Sequence, residues 1–336
     1  MKSINFPSVK TWIWKFRDNK DMELIKDRLR GIAVGAVVGD ALGMPLEFQP
    51  ARAIYDLQTE MVAGPLPAGT FTDDTEMALA LAESLLAHDS LNPEDLAARF
   101  MAWYRGHPSD IGIHTSRVLS LIDSGTLWQE AAQLAQEMDP ENASNGSLMR
   151  AWPLAIARWQ QPERLAVESR EQCMLTHTHP DCVSACVLIN RILHELIHRP
   201  ADIPADRAMR EAVSAALETV EMDEDFRRIV ELASIRSRET LANTGWVRHT
   251  VESALWSVLT TRSFEEALVQ AVNLGDDADT TGSVAGAIAG ALYGLEGIPQ
   301  RWKTALHGEY PLGSGHIWLI SDLIHLADQL SVNLSI

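Results

Sequence analysis

Apolar residues recur at helical spacing along most of the chain, with Ala and Leu dominant. Clear examples run from Met77 to Leu86, Ala97 to Tyr104, Val183 to Ile197, Val213 to Val220 and Val284 to Leu292, and another from Thr115 to Ile122. The alternation of apolar and polar positions that marks a half-buried strand is scarce. Turn-forming clusters punctuate the periodic stretches: Pro65-Leu66-Pro67-Ala68-Gly69, Asn92-Pro93, Asp139-Pro140, Arg199-Pro200 through Pro204, and Gly297-Ile298-Pro299. The pattern predicts an all-α, compact multi-helix fold. No fixed-period repeat or low-complexity tract is visible, so a solenoid is disfavoured. One run differs in kind. From Gly31 to Gly43 the apolar stretch is spaced with Gly and Ala so that another helix can approach closely. It ends in Met44-Pro45-Leu46-Glu47-Phe48, where Pro45 stops the helix and leaves Glu47 near its end.

Residues 1–25 stand apart, carrying Phe6, Trp12, Ile13, Trp14 and Phe16 among Lys10, Lys15, Arg17 and Lys20. The chain therefore divides into a basic aromatic extension, residues 1–25, and one large domain, residues 26–336. The extension reads either as a strap packed on its own domain or as a docking arm for another protein, since Trp and Arg are enriched at binding hot spots. With 336 residues and 46% apolar content the chain can bury a large core. Its formal charge of −18 disfavours nucleic-acid backbones and anionic membranes as partners. No secretory signal pattern and no long uninterrupted apolar run is seen, so no membrane segment is expected. The three cysteines, Cys173, Cys182 and Cys186, lie close together and do not form a disulfide framework, which fits a reduced cytoplasm.

Charge becomes informative at two places. Thr72-Asp73-Asp74-Thr75-Glu76 and Asp276-Asp277-Ala278-Asp279-Thr280 each sit just ahead of an Ala-rich apolar run, so each loads the mouth of a helix with carboxylates. One or two acids there are favourable against the helix dipole. Brought together, they repel one another unless hard divalent cations lie between them, and Asp with Thr oxygens suits Mg²⁺ or Ca²⁺. Singly, each cluster reads as a capping box or an N-cap; jointly, they point to a split metal site. Neither has the context of a nucleotide phosphate loop. Glu47 is a lone carboxylate among apolar neighbours, where desolvation can tune it as a general base. Asp110 precedes the Thr115–Ile122 helix as an N-cap candidate, and Asn145-Gly146-Ser147-Leu148-Met149-Arg150 is a polar loop suited to phosphate or ribose. His177, His179, Cys182 and Cys186 lack the paired spacing of structural zinc. Cys182 and Cys186 are expected to face a helix core, and His177 and His179 to hydrogen-bond loop or ligand.

Taken in order, Gly39-Asp40-Ala41-Leu42-Gly43 with Glu47, Thr72-Asp73-Asp74-Thr75, Asp110-Ile111-Gly112, Asn145 through Arg150, Thr176-His177 and Asp277-Ala278-Asp279-Thr280 resemble the ADP-ribosylglycohydrolase family. That family includes dinitrogenase-reductase-activating glycohydrolases and ADP-ribosyl-acceptor hydrolases. The resemblance spans roughly residues 28–330. It implies an all-α fold with a central cleft holding two Mg²⁺ or Mn²⁺ ions, and hydrolysis of the bond joining ADP-ribose to a protein side chain, with arginine as the favoured acceptor. By position it implies that Thr72, Asp73, Asp74, Asp277, Asp279 and Thr280 are metal ligands, and that Glu47 and Asp110 are catalytic. It further implies that Asn145, Gly146, Ser147 and His177 hold ribose and diphosphate. One departure shows: Asp276 stands where a glycine is common.

The extension resembles that of bacterial immunity proteins of the same family, which neutralise ADP-ribosyltransferase toxins. In that case residues 1–25 would bind the toxin while the domain acts on the ADP-ribosylated protein substrate. Two other readings remain open: a housekeeping hydrolase of another ADP-ribose conjugate, and a non-catalytic binding protein of the same fold, although the latter is expected to have lost metal ligands.

Overall fold

The computed structural model describes residues 19–332, and residues 1–18 of the basic aromatic extension lie outside that range. Among the described residues fifteen α-helices follow one another: α1 Asn19–Gly43, α2 Asp73–Ala87, α3 Pro93–Arg105, α4 Ile113–Asp123, α5 Trp128–Met138, α6 Trp152–Ala157, α7 Pro162–Met174, α8 Pro180–His198, α9 Ala205–Thr219, α10 Glu224–Leu232, α11 Val247–Leu259, α12 Phe264–Val272, α13 Ala278–Tyr293, α14 Gln300–Ala305 and α15 Ile320–Val332. Among the described residues the only sheet is an antiparallel pair, β1 Gly308–Glu309 with β2 Ile317–Trp318. The all-α expectation holds. The anticipated turn residues act as helix punctuation: Asn92 caps α3 by accepting from Glu94 N and Asp95 N, with Pro93 at the first helical position. Arg199 ends α8 and Pro204 opens α9. The start of α1 at Asn19 draws residues 19–25 into the core helix.

The centre of the molecule is the antiparallel pair α1 and α13, each buried on nearly all sides. Glycines make the pair possible. Gly31, Gly35 and Gly39 lie against Gly290, Gly286 and Gly282, and a Cβ on Gly39 would stand 1.9 Å from the Gly282 carbonyl oxygen. The two backbones therefore touch, which a side chain at any of these positions forbids. Lys20–Leu46 has the length and hydropathy of a membrane span, yet 89% of its apolar window is buried, so it is the core helix of this fold. Shells of helices, among them α2, α6, α8, α11, α12 and α15, close around the pair. Because α1 runs antiparallel to α13, its C-terminal end, with Glu47 just beyond, lies beside the N-terminus of α13.

Candidate active site

The N-terminus of α2 joins these two helix ends through one residue. Asp40, in the last turn of α1, is fully buried. Its carboxylate accepts from Thr72 N and Oγ1, at 3.0 and 2.9 Å, and from Thr75 N and Oγ1, at 3.2 and 2.5 Å. Asp40 thus caps α2 from a neighbouring helix, and Thr72 itself makes no side-chain cap. Nor does Glu76 close a capping box; it is buried and accepts from Trp103 Nε1 at 2.6 Å. The acids at the mouth of α2 are free to face elsewhere.

They face a cavity of about 580 Å³. Asp73 and Asp74 from α2, Asp277, Asp279 and Thr280 from α13, Glu47, Asp110 and Asp276 all line it, together with residues 142–146. The two carboxylate clusters, far apart in sequence, share one wall. Glu47, Asp277 and Asp279 each bring a carboxylate oxygen within 4.8 Å of one another, and Thr280 Oγ1 donates to Asp74 Oδ2 at 3.2 Å. Thr72 sits one step back, its hydroxyl on Asp40.

Burial is the largest force on Glu47, Asp73, Asp74 and Asp279, and repulsion from other carboxylates the next. Burial holds Asp73, Asp74 and Asp279 well above the usual carboxylate range, and the charges weighing most on them are other carboxylates. Burial, then Asp110 and Asp277, pushes Glu47 up to about 8, and Glu47 hydrogen-bonds Asp110. Burial raises Asp277 to about 6, moderated by the bond from Asn145. Asp74 Oδ1 is buried without any hydrogen-bond partner. An oxygen-only donor set, crowded, anionic and with an orphaned buried oxygen, fits a hard divalent cation. The positive ends of α2 and α13 point at the same place.

The residues expected at ribose and diphosphate divide into two groups. Asn145 and Gly146 line the cavity, and Asn145 Nδ2 donates both to Thr250 Oγ1, at 2.8 Å, and to Asp277 Oδ2. Ser147 and His177 lie behind that wall, 0% and 1% exposed. His177 is bonded to Thr176 and Ser144 rather than open to the cavity. His179 caps α8, accepting from Asp181 N, and all three cysteines are free and buried. Asp110 is half-buried on the wall, while Gly112 takes the N-cap position of α4.

Sequence reasoning left several participants without a role. Asp40 was visible in a small-residue run and in the Gly39-to-Gly43 element of the resemblance, with no role assigned to it. Asn243 steers the α13 mouth, its Nδ2 donating to Gly275 O at 2.6 Å and its Oδ1 accepting from Thr281 Oγ1 at 2.7 Å. Phe48, Ile113 and Trp246 rim the cavity with exposed apolar surface, and no period marks them as such. Phe48 and Asp276 adopt φ of 59° and 53°, and pair at the mouth through Phe48 N to Asp276 O and Asp276 N to Gln49 O, both 2.7 Å. This left-handed backbone is the conformation a glycine at position 276 would take freely. The Asp276 side chain is exposed on the cavity rim.

A family model described as ADP-ribosylglycohydrolase matches residues 21–333. The chain is 32% identical over 291 residues to ADP-ribosylarginine hydrolase Tri1 of Serratia proteamaculans (strain 568), covering 83% of this chain and 75% of that protein. It is 32% identical over 289 residues to ADP-ribosyl-(dinitrogen reductase) glycohydrolase of Rhodospirillum rubrum, covering 84% and 91%. A solved structure described as an ADP-ribosylglycohydrolase-related protein complex superposes with a TM-score of 0.75 at 34% identity, covering 92% of this chain and 98% of that one.

Proposed function

Since the chain belongs to the ADP-ribosylglycohydrolase family and is an enzyme of that class, we propose that it removes ADP-ribose from modified protein side chains, with arginine as acceptor. The observation that carries this reading is the convergence of the α2 and α13 carboxylates on one cavity wall, beside the polar loop of residues 142–146. Arginine is favoured by the activity for which the Serratia proteamaculans relative is named and by the acidic rim, since the released guanidinium is a cation.

Asp73, Asp74, Asp277, Asp279, Thr280 and Thr72, with Glu47 beside them, would hold divalent cations, two Mg²⁺ or Mn²⁺ in this proposal. Cations there supply Lewis acidity, lower the pKa of bound water and offset the acidic field for an anionic substrate. The protein's own part is proton handling and orientation. Glu47 and Asp110 stand side by side on the cavity wall. Hydrolysis needs one proton delivered to the leaving nitrogen and one taken from water, and this carboxyl pair can pass a proton in either direction. Asn145 orients Asp277 from the loop side, and Asp40 fixes the helix that carries Asp73 and Asp74.

The test is release of ADP-ribose from an arginine-ADP-ribosylated protein with Mg²⁺, with EDTA, and with Asp73→Ala or Asp279→Ala. We expect metal-dependent release lost in both variants with the helical spectrum intact; wild-type activity in either would refute the site. We extend the proposal to the N-terminal arm as a docking element for an ADP-ribosyltransferase toxin in the cytoplasm. Its support is the basic aromatic composition of residues 1–25. Toxin binding unchanged after removal of residues 1–18 would exclude this role.

A further inference from the structure

Behind the cavity wall lies a charge that the proposed chemistry does not use. Arg150 is 0% exposed, and its partners are neutral: Gln172 Oε1 at 3.2 Å, Gln172 O at 3.1 Å, Thr176 Oγ1 at 2.7 Å and the Phe100 ring at 4.3 Å. A buried guanidinium without a carboxylate is expensive to maintain, so its position asks for a reason.

Two hydrogen-bond branches lead from it to the loop of residues 142–147. In the first, Arg150 Nη2 donates to Thr176 Oγ1, which bonds His177 Nδ1 at 2.7 Å, and His177 Nε2 bonds Ser144 Oγ at 3.1 Å. Ser144 Oγ donates to Asn142 Oδ1 at 3.0 Å, and Asn142 Nδ2 donates to Asp139 Oδ2 at 3.3 Å. The direction of every bond follows. The Ser144 proton is committed to Asn142, so Ser144 accepts from His177 Nε2–H; the other ring nitrogen then accepts the Thr176 proton, because Thr176 already accepts from Arg150. The chain runs as aligned donors from a buried cation to a carboxylate at the cavity, a cooperative arrangement. In the second branch, Gln172 Oε1 accepts from Arg150 Nε while Gln172 Nε2 donates to Ser147 O at 3.0 Å. The His177 ring also forms the floor under Gly146, where a Cβ would stand 3.2 Å from Cε1.

We propose that Arg150 is the positioning residue for the substrate-binding wall, fixing the His177 tautomer and both ends of the loop, and placing a permanent positive charge behind it for the anionic part of the ligand. The proposal rests on the hydrolase reading. His177 thereby acts through Ser144 rather than by touching substrate, and an otherwise acidic cavity gains one side that favours a diphosphate.

The test uses the full chain with Arg150→Met and Thr176→Val, ADP-ribose as the probe ligand, and arginine-ADP-ribosylated protein as substrate. Arg150→Met and Thr176→Val should each weaken ADP-ribose binding and raise KM about tenfold, with kcat changed less than about twofold. Mn²⁺ binding measured alone should stay as in wild type, because Arg150 touches none of the carboxylates. Thr176→Val combined with Ser144→Ala should bind ADP-ribose no worse than the weaker single variant, since both break one chain. Unchanged ADP-ribose affinity in Thr176→Val, or additive losses in the double variant, overturns the proposal; Thr176→Val keeps Arg150 and decides the matter should Arg150→Met fail to fold. A wild type that binds no ADP-ribose overturns the hydrolase reading and this inference together, whereas altered variants of a competent wild type separate the two.

Discussion

Replacing Asp40 with Asn sets two large effects against each other, and their balance depends on whether cations are bound. Asn keeps the shape and can accept from Thr72 N and Oγ1, but its amide NH₂ then faces Thr75 N–H, a donor against a donor. The bonds to the carboxylate are already contained in its proton affinity, so the added cost in the metal-free protein is the stranded Thr75 N–H, about 1–3 kcal/mol. Against this, the Asp40 carboxyl is pushed by burial from the ordinary 3.8 up to about 6, even with its hydrogen bonds, which makes its ionised form costly by about 3 kcal/mol in the metal-free protein. Asn removes that cost. At pH 7.5 in EDTA the two effects nearly cancel, and the variant should unfold in urea within about 1 kcal/mol of wild type. With Mg²⁺ the cation already compensates the charge, so only the lost bonds remain and the variant should fall short by about 2–4 kcal/mol. By linkage, divalent-cation affinity should drop roughly 30-fold for each 2 kcal/mol of that difference. Equal destabilisation in EDTA and in Mg²⁺ would refute the reasoning and reduce Asp40 to a plain cap.

Three further outcomes follow from the same geometry. Gly286→Ala places a Cβ 2.0 Å from the Gly35 carbonyl oxygen, so α1 and α13 must part; loss of soluble protein or of the cooperative urea transition is expected, and a folded variant near wild-type stability would contradict the packing. The metal-free protein should lose thermal stability as pH rises from about 4 to about 8. The raised folded-state carboxyls, with Asp277 at about 6 and Glu47 at about 8, leave stability intact below their unfolded range and remove it as pH climbs through the folded values; saturating Mg²⁺ should flatten this decline, as thermal melts at pH 5 and pH 8 will register. Asp279→Ala, which relieves repulsion on Asp74, should raise the melting temperature in EDTA while abolishing the increase that Mg²⁺ gives wild type.

What the sequence disclosed is what local periodicity and local charge can carry. The stretch from Met77 to Leu86 lies inside α2, that from Val183 to Ile197 inside α8, and that from Val284 to Leu292 inside α13, because an apolar face repeating along a helix is written in neighbouring residues. The two acidic clusters were conspicuous because each crowds charge into a few positions, and they do share one cavity. Roles that depend on distant partners were not legible. Thr72 and Glu76 offered a self-contained cap, yet Asp40 from another helix and Trp103 from the next took those bonds. Ser147 follows Asn145 and Gly146, which line the cavity, and His177 lies under Gly146, but both side chains are set behind the wall.

A single constraint joins the core to the site. The contact of α1 with α13 is so close that no side chain separates them, which fixes Asp40 and Glu47 relative to Asp277 and Asp279 through backbone rather than through adjustable side chains. Carboxylates that repel one another gain most by drifting apart, and a core joined by larger side chains could yield to that pressure. Here it cannot, because Asp40 ties α2 to α1 while the glycine contacts tie α1 to α13. Burial and repulsion therefore raise the proton affinity of these acids rather than relaxing as movement, and a divalent cation binding there would meet its ligands already in place. Rigid helix ends, rather than the loops, set the spacing of the acids, and the loops at residues 142–147 and 243–246 close the cavity around them.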